Sequence, residues 1–524
     1  MNEKLQKYIE NKKYDLALQF IHKIQKKEYS LEYHNYKIVV YLLSQKYDAA
    51  LAELTVLLSK FPNDSTLLCN MGLAYKGKKN FDHAIHYLSK SLQIDPENLN
   101  TALNLIETHI EVLNFTKAIE LLNKIIQRNL RMERCYQLLA YCYREINLFE
   151  ESHKNLELAI ENNPYNYENF YHLGFSFIWK KNYQEAMECF KKCYELNNKY
   201  LPALYQLNNL LKFDSDSPYY NILVNINDRD CDQYNCAYKY LTISEVHYRK
   251  NDYNNFFKYL HQANNLRGLH SKKKKYDPHV IQATYSKIPD FIIDDIKFTP
   301  IFILGMPRSG SSVLEQIISQ ADDVYAAGEI PLLHEQFDPL IHLNQNKIDQ
   351  LSLIKIKENY LSYLSMLPNT KFIIDKLPLN FLWIGFIKSI FPNAIFIHTI
   401  RNKLDICMSL YRTFFADNVL EFSYNLKDIN NFYTIYKSMM DFWYSSGLKI
   451  LDFNYDDFIS NPQEQIQSLF RKLNFEYNES FLDLHNINRP VKTASFLQVR
   501  DNIKKSSNPN WHDFQHEIAI LFES

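Results

Sequence analysis

Small and ring-bearing residues recur at one fixed spacing through the first 200 residues of the chain. The small residues form one series and the ring-bearing residues another, and within each series neighbours lie 34 positions apart, as Ala50 and Ala84 do. The small residues are Ala50, Ala84, Ala118, Ser152 and Ala186. The rings in the second register are Tyr41, Tyr75, His109, Tyr143 and Phe177. Because a small residue lets two helices cross closely, this pattern predicts a series of helical hairpins.

Prolines and glycines keep the same register. They are Pro62, Pro96 and Pro164, together with Gly72 and Gly174. The pattern resembles that of tetratricopeptide repeats, most closely at residues 71–75 and 172–175, and we count about six repeats. Such hairpins bury their apolar faces only by stacking, so the resemblance implies a solenoid whose groove binds substrate or a protein partner. Plain scaffolding is the alternative for this region.

From Pro300 the pattern changes to short apolar runs that alternate with helical stretches. The runs predicted as strands are Ile301–Leu304, Lys371–Ile374, Ala394–Ile397 and Lys449–Phe453. The amphipathic stretches between them are residues 381–390, 403–415, 431–446 and 463–473. This alternation predicts a parallel sheet with helices on both faces.

The predicted fold class is therefore α plus α/β. An N-terminal all-α solenoid over residues 1–200 leads through a helical connector over 201–290. A P-loop-like α/β domain with a parallel sheet follows over 291–524.

Composition excludes several classes of function. Of the 524 residues, 46% are apolar and 23% charged, which is the balance of a chain that folds around a core. The 59 basic and 60 acidic side chains leave no global positive field, so we expect no nucleic-acid partner. The charged start does not indicate a signal peptide, and no apolar stretch reaches the length of a membrane span, so we expect a cytoplasmic protein. The eight cysteines lack zinc-site spacing, and we expect no metal.

One loop in the second half has the features of an anion site. The strand at Ile301–Leu304 runs into Gly305-Met306-Pro307-Arg308-Ser309-Gly310-Ser311-Ser312, and a helical stretch follows. Free backbone N–H groups and the helix dipole converge at such a junction. The spacing is that of a nucleotide-binding P-loop, but Ser311 stands where a P-loop has lysine. Arg308 and the hydroxyls therefore suit a smaller anion held without metal.

This octapeptide resembles the 5'-phosphosulfate loop of sulfotransferases, in particular the tyrosylprotein sulfotransferase-like group and its relatives fused to tetratricopeptide repeats. The resemblance implies the donor 3'-phosphoadenosine-5'-phosphosulfate (PAPS), with 3'-phosphoadenosine-5'-phosphate (PAP) as product. It implies cofactor contacts from Pro307, Arg308, Ser309, Gly310, Ser311 and Ser312. A second signature of that family, an arginine and then a serine eight residues later, matches Arg401 and Ser409 and implies a site for the 3'-phosphate.

Further residues of this site follow from the same resemblance. Glu329 matches the glutamate that takes the proton of the acceptor, a task that apolar shielding would favour; a helix cap or an ion pair is the alternative. Lys376 matches the lysine that stabilises the leaving group. The predicted catalytic residues are therefore Glu329, Lys376 and Arg308. Tyr455 and Ser495 match weaker cofactor contacts. Arg412, one helical turn after Ser409, is a third candidate phosphate ligand or a surface arginine.

Two departures limit the substrate assignment. Asn510 precedes Trp511 where a basic cofactor contact is expected, and Ile330-Pro331-Leu332 follow Glu329 where protein-tyrosine enzymes have basic residues. The sequence thus predicts a PAPS-dependent sulfotransferase whose acceptor is a hydroxyl, or an amine, on a small molecule, glycan or peptide. One alternative is a tetratricopeptide scaffold with a catalytically silent nucleotide-binding domain. Another is a P-loop kinase, which the missing lysine disfavours.

Overall fold

The structure is a computed structural model that describes most of the chain. The described residues are 3–25, 31–128, 132–269, 276–288, 296–343, 348–415, 418–484 and 509–522. They form two compact units, Met1–Asn155 and Leu156–Ser524. The domain boundaries expected near residues 200 and 290 stay a prediction.

The first unit is built from helices alone among its described residues. These helices are α1 (Glu3–Glu10), α2 (Tyr14–Gln25), α3 (Leu31–Leu43), α4 (Tyr47–Lys60), α5 (Ser65–Gly77), α6 (Phe81–Ile94), α7 (Leu99–Glu111), α8 (Phe115–Gln127), α9 (Glu133–Glu145) and α10 (Phe149–Asn162), the last of which contains the boundary between the units.

The 34-residue register has a structural counterpart at every hairpin. Each small residue of the series is the fourth residue of the second helix of its pair, and all are at most 1% exposed. A residue with positive φ follows each first helix by two positions and precedes the start of the second helix by two positions. In the repeats these residues are Gln45, Lys79, Leu113, Asn147 and Lys181. The left-handed residue reverses the chain, and the small residue permits the close crossing that follows.

The second unit begins with further helices. They are α11 (Tyr167–Trp179), α12 (Tyr183–Leu196), α13 (Pro202–Leu211), α14 (Pro218–Asn225), α15 (Gln233–Arg249), α16 (Tyr253–Gly268) and α17 (Pro278–Tyr285). The pair α15–α16 uses the same turn as the repeats, with Asn251 at φ +57° two positions before α16. Phe256 takes the place of the small residue and is fully buried.

A five-stranded parallel sheet forms the rest of this unit. Its strands are β1 (Thr299–Gly305), β2 (Val324–Ala326), β3 (Phe372–Asp375), β4 (Ile395–Ile400) and β5 (Ile450–Asn454), in the order β2-β3-β1-β4-β5. The helices that alternate with them are α18 (Ser311–Ile318), α19 (Leu332–Leu343), α20 (Gln350–Leu364), α21 (Ile384–Ile390), α22 (Lys403–Arg412), α23 (Leu426–Ser445), α24 (Tyr455–Ser460) and α25 (Pro462–Leu473).

Alternate residues of the central strand β1 pack into two cores. Ile301 and Ile303 face a cluster that includes side chains of α18, α24 and α25. Phe302 lies on the opposite face, where its ring stacks with those of Tyr360 and Phe396. A strand that is buried on both faces is typical of a sheet covered by helices on each side.

The predicted fold class is confirmed, since a solenoid of helical hairpins precedes a parallel α/β sheet. Four strands were predicted and are found, with bounds shifted by one to three residues. The fifth, β2, was not predicted because it has only three residues. In the described part of the chain, no helix is both long and apolar enough to span a membrane.

Candidate functional site

The carboxyl ends of all five strands carry predicted site residues. In the order of the strands across the sheet, Glu329 follows β2, Lys376 follows β3, and the anion loop follows the central strand β1. Arg401 follows β4 and Tyr455 follows β5. Because the strands are parallel, these ends lie at one edge of the sheet, where ligands bind in open α/β folds.

The loop between β1 and α18 is held in a tight, left-handed conformation. Arg308 has φ +73° and Gly310, which caps α18, has φ +95°. The Ser309 hydroxyl is buried, lies 2.6 Å from the Met306 carbonyl oxygen and contacts Thr399 Oγ1 at 2.5 Å. Ser309 therefore braces the loop from within. At the first turn of α18, which begins at Ser311, the N–H groups of Val313 and Leu314 donate to the Gly310 carbonyl oxygen, and the start of such a helix favours an anion.

Gly310 is required both for its backbone angle and for space. A methyl group added there would overlap the ring of Tyr455. We expect Gly310→Ala to lower the free energy of unfolding by about 2–4 kcal/mol, from left-handed strain plus overpacking. Urea unfolding measures this loss.

Gly447→Ala is the matched control for this prediction. Gly447 also has a positive φ, +75°, but an added methyl group meets open space there. We expect a loss of only about 1 kcal/mol. Equal losses in the two variants would show that Tyr455 moves aside at no cost.

Two arginines and a serine form a network behind the loop. Arg308 Nε donates to Ser409 Oγ at 2.8 Å, and Arg401 Nη1 donates to the carbonyl oxygen of Arg308 at 3.1 Å. The guanidinium carbon of Arg401 also lies 5.0 Å from the ring centroid of Tyr455. The structure thus brings together four residues that the sequence placed up to 147 positions apart (455 minus 308).

The charge on this network favours an anion. Burial, followed by the repulsion of Arg401, lowers the pKa of Arg308 to about 10. The Nε of Arg401 is buried and has no hydrogen-bond partner among the described residues. An unpaired buried donor costs free energy. A bound oxyanion would accept a hydrogen bond from this Nε and would offset the repulsion between Arg308 and Arg401.

Lys376 and Glu329 form an ion pair that runs from the interior to the surface. The ammonium of Lys376 donates to Glu329 Oε1; the lysine side chain is fully buried, and that of Glu329 is 44% exposed. The expected apolar shielding of Glu329 is therefore absent, because the residue follows the edge strand of the sheet. The ion pair that the sequence left open as an alternative is present. It does not exclude a catalytic role, since the exposed carboxylate remains accessible.

Asp375, which precedes Lys376, is a buried carboxyl group that sequence reasoning missed. Tyr360 donates a hydrogen bond to its Oδ2 at 2.9 Å. Burial raises the pKa of Asp375 to about 7. Because this value lies above that of the unfolded chain, about 4, the folded protein binds the proton more tightly. The resulting stabilisation is present below pH 4 and is lost as the pH rises to 7.

We expect Asp375→Asn to abolish this pH dependence. Between pH 5 and pH 8, its free energy of unfolding should rise relative to that of the wild type by about 2–3 kcal/mol. Urea unfolding at both pH values measures the change. The exposed Asp322 gives a control, Asp322→Asn, that should follow the wild type. Parallel pH profiles for Asp375→Asn and the wild type would contradict the prediction.

One predicted contact, Arg412, binds a partner outside the network. Arg412 is paired with Glu245 of α15: its Nη2 lies 3.1 Å from Glu245 Oε2, and its Nε also donates to this carboxylate. Although burial alone would lower it, the pKa of Arg412 is raised by the charge of Glu245. Ser495 lies outside the described residues. Among the described residues, no group of three or more histidines, cysteines or acidic residues could hold a metal ion.

Comparison with known proteins identifies the two halves. Residues 300–479 match the sulfotransferase family. Residues 65–98, 133–166 and 167–200 match tetratricopeptide repeats. The chain carries a sulfotransferase-family domain and tetratricopeptide repeats. The sulfotransferase domain contains the anion loop and the ends of all five strands.

Several relatives resemble parts of this chain. An uncharacterized protein of Aquifex aeolicus (strain VF5) is 29% identical over 52% of this chain, and the chain spans 39% of that relative's length. A Caenorhabditis briggsae protein named "Putative protein-tyrosine sulfotransferase" is 23% identical over 42% of this chain and 83% of its own length. The solved structure of MamA from residue 41 to its end, from Desulfovibrio magneticus RS-1, covers 34% of this chain and 95% of its own, at 20% identity and a TM-score of 0.29.

Proposed function

We propose that this protein transfers a sulfuryl group from PAPS to an acceptor hydroxyl or amine. The observation that carries the proposal is the partly buried network in which Arg308 joins Ser409 and Arg401 around a left-handed P-loop-like turn. PAPS supplies, when bound, an activated sulfuryl group joined to a phosphate. The donors present fit such a molecule, because Arg401 keeps a buried N–H without an acceptor and the loop offers backbone amides beside a guanidinium.

The residues of the loop side are proposed to hold the nucleotide. Arg308 and the amides at the start of α18 are suited to the 5' phosphosulfate, and Pro307 and Ser309 keep the loop in its conformation. Arg401 and Ser409 are suited to the 3'-phosphate, and Tyr455 supports the guanidinium of Arg401. Ser312 and Ser495 stay predicted contacts from the resemblance alone. Arg412 is not among the proposed ligands, because it is paired with Glu245.

The residues of the β2–β3 side are proposed to perform the chemistry. Glu329 accepts the proton of the acceptor, and its exposure lets an acceptor reach the carboxylate. Lys376 holds a fixed positive charge in the interior, where the low dielectric strengthens its stabilisation of developing negative charge. The two side chains are bonded to each other, so a single contact orients both.

A two-stage experiment tests the proposed function. Differential scanning fluorimetry of the full chain with PAP should show a concentration-dependent rise in Tm, and without PAP binding the proposal fails. Incubation of the protein and PAPS with cell extract, followed by mass spectrometry, should then reveal products heavier by one sulfuryl group. Binding without any sulfated product would favour the scaffold with a catalytically silent domain.

The tetratricopeptide array is proposed to recruit the acceptor or a protein partner. Its repeats form helical hairpins, and arrays of this type present an extended surface for a peptide. Removal of the array would separate the two roles: loss of sulfation with intact PAP binding would indicate acceptor recruitment.

A further inference from the structure

Helix α22 follows Arg401 and carries Ser409. Its C-terminal end is held by the helical connector, residues 201–290. His261 Nδ1 of α16 contacts the Tyr411 hydroxyl at 2.7 Å, and Asn264 Nδ2 donates to the Tyr411 carbonyl oxygen at 2.8 Å. Arg267 Nη1 donates to the Thr413 carbonyl oxygen at 3.1 Å. The end of a helix near the proposed nucleotide site is therefore fixed from residues 201–290, outside the segment that matches the sulfotransferase family.

An ion pair between Glu245 and Arg412 also joins the helical connector to α22. Both carboxylate oxygens of Glu245 on α15 accept from the guanidinium of Arg412, at 3.1 and 3.3 Å. The Arg412 guanidinium carbon lies 3.5 Å from the ring centroid of Tyr248, one turn further along α15. The side chains of Glu245 and Arg412 are only 19% and 17% exposed. A planar, stacked and largely buried pair of this kind fixes a geometry that a mobile surface pair would not.

Helix α22 connects this ion pair to the anion loop, because it carries both Arg412 and Ser409. Arg412 lies three residues after Ser409, so both occupy one face of α22. Ser409 Oγ in turn accepts the hydrogen bond from Arg308 Nε at 2.8 Å. A rotation or shift of α22 would move Ser409 away from Arg308 and release the guanidinium from its present orientation.

We infer that Glu245 is a positioning residue for the nucleotide: it holds Arg412, and through α22 it keeps Ser409 and Arg308 arranged for the anion. The inference rests on the proposed function. It also makes the helical connector part of the binding site.

The test measures the affinity of the full-length protein for PAP and for adenosine 5'-monophosphate by calorimetry. We expect Glu245→Gln to weaken PAP binding by about tenfold, the scale typical of lost supporting contacts behind a ligand-binding group. Affinity for the monophosphate should fall less, because Ser409 is proposed to serve the 3'-phosphate. Loss of preference for PAP is a readout that general destabilisation would not produce.

Asp228→Asn is the matched control. Asp228 pairs with Lys239, also on α15, at 2.7 Å, and neither residue touches α22 in the described contacts. This variant should bind PAP like the wild type. If both variants lose affinity equally, the effect is general weakening of the connector and the inference is wrong. Tighter binding by Glu245→Gln would also overturn it, because Glu245 would then merely compete with the phosphate for Arg412.

A double variant gives a second, independent check. Because Glu245 and Arg412 are inferred to act as one unit, Glu245→Gln combined with Arg412→Gln should cost no more than the larger single loss. Additive losses would contradict the inference. Glu245→Asp, which keeps the charge, replaces Glu245→Gln if the latter does not fold and should give an intermediate loss. Failure of the wild type to bind PAP would refute the proposed function, whereas unchanged binding in Glu245→Gln would refute only this inference.

Discussion

Arg308→Ala and Arg401→Ala are each expected to weaken PAP binding by about 100-fold or more, because each removes a partly buried charged donor from the proposed anion site. Arg308 lies in the loop itself, and Arg401 donates to the carbonyl oxygen of Arg308. Loss of Arg401 therefore also frees the loop. Isothermal titration calorimetry with PAP measures both effects.

Arg471→Ala is the control for this pair. Arg471 lies exposed near the end of α25, where its Nε donates to the Gln467 carbonyl oxygen of the same helix. Its removal changes the net charge by the same amount but should leave PAP affinity unchanged. If Arg308→Ala and Arg401→Ala both bind PAP as the wild type does, the loop is not the nucleotide site and the proposed function loses its main support.

Glu329→Gln is expected to reduce the formation of sulfated product by about 10²- to 10⁴-fold, the usual contribution of a general base. Glutamine keeps the shape of the side chain and can still accept a bond from Lys376, but it cannot take a proton. PAP binding should stay within about threefold of the wild type, because Glu329 lies on the β2 side of the sheet. Mass spectrometry of product from extract and PAPS measures the rate.

Glu464→Gln serves as the control for the proposed base. Glu464 lies exposed in the first turn of α25. Product formation should be unaffected in this variant. If Glu329→Gln retains the wild-type rate, the proton must leave by another route and Glu329 serves only as the partner of Lys376.

The sequence sufficed for those parts of the fold whose signals are periodic or local. The small residue of each repeat is visible every 34 positions because every hairpin needs the same close crossing. The loop after β1 is visible because two glycines and an arginine stand between a strand and a helix. By contrast, β2 is only three residues long and depends on its pairing with β3, which no local pattern reveals.

The contacts that sequence reasoning missed join residues distant in the chain. Glu245 and Arg412 are separated by 167 positions, and neither lies in a motif that indicates the other. The sequence leaves Arg412 as a candidate phosphate ligand or a surface arginine, because its place one turn after Ser409 does not determine which way the guanidinium points. Glu329 was expected to be shielded, but shielding depends on its position after an edge strand.

The order of the strands places the proposed nucleotide-binding residues and the proposed catalytic pair on different sides of the sheet. The residues suited to the nucleotide follow β1, β4 and β5, whereas Lys376 and Glu329 follow β3 and the edge strand β2. In the proposed reaction, the acceptor is therefore expected on the β2 side, away from Arg401 and Tyr455. Among proteins that share this domain, substitutions that alter the choice of acceptor are expected on the β2 side, while the β4–β5 side stays constrained by a common donor.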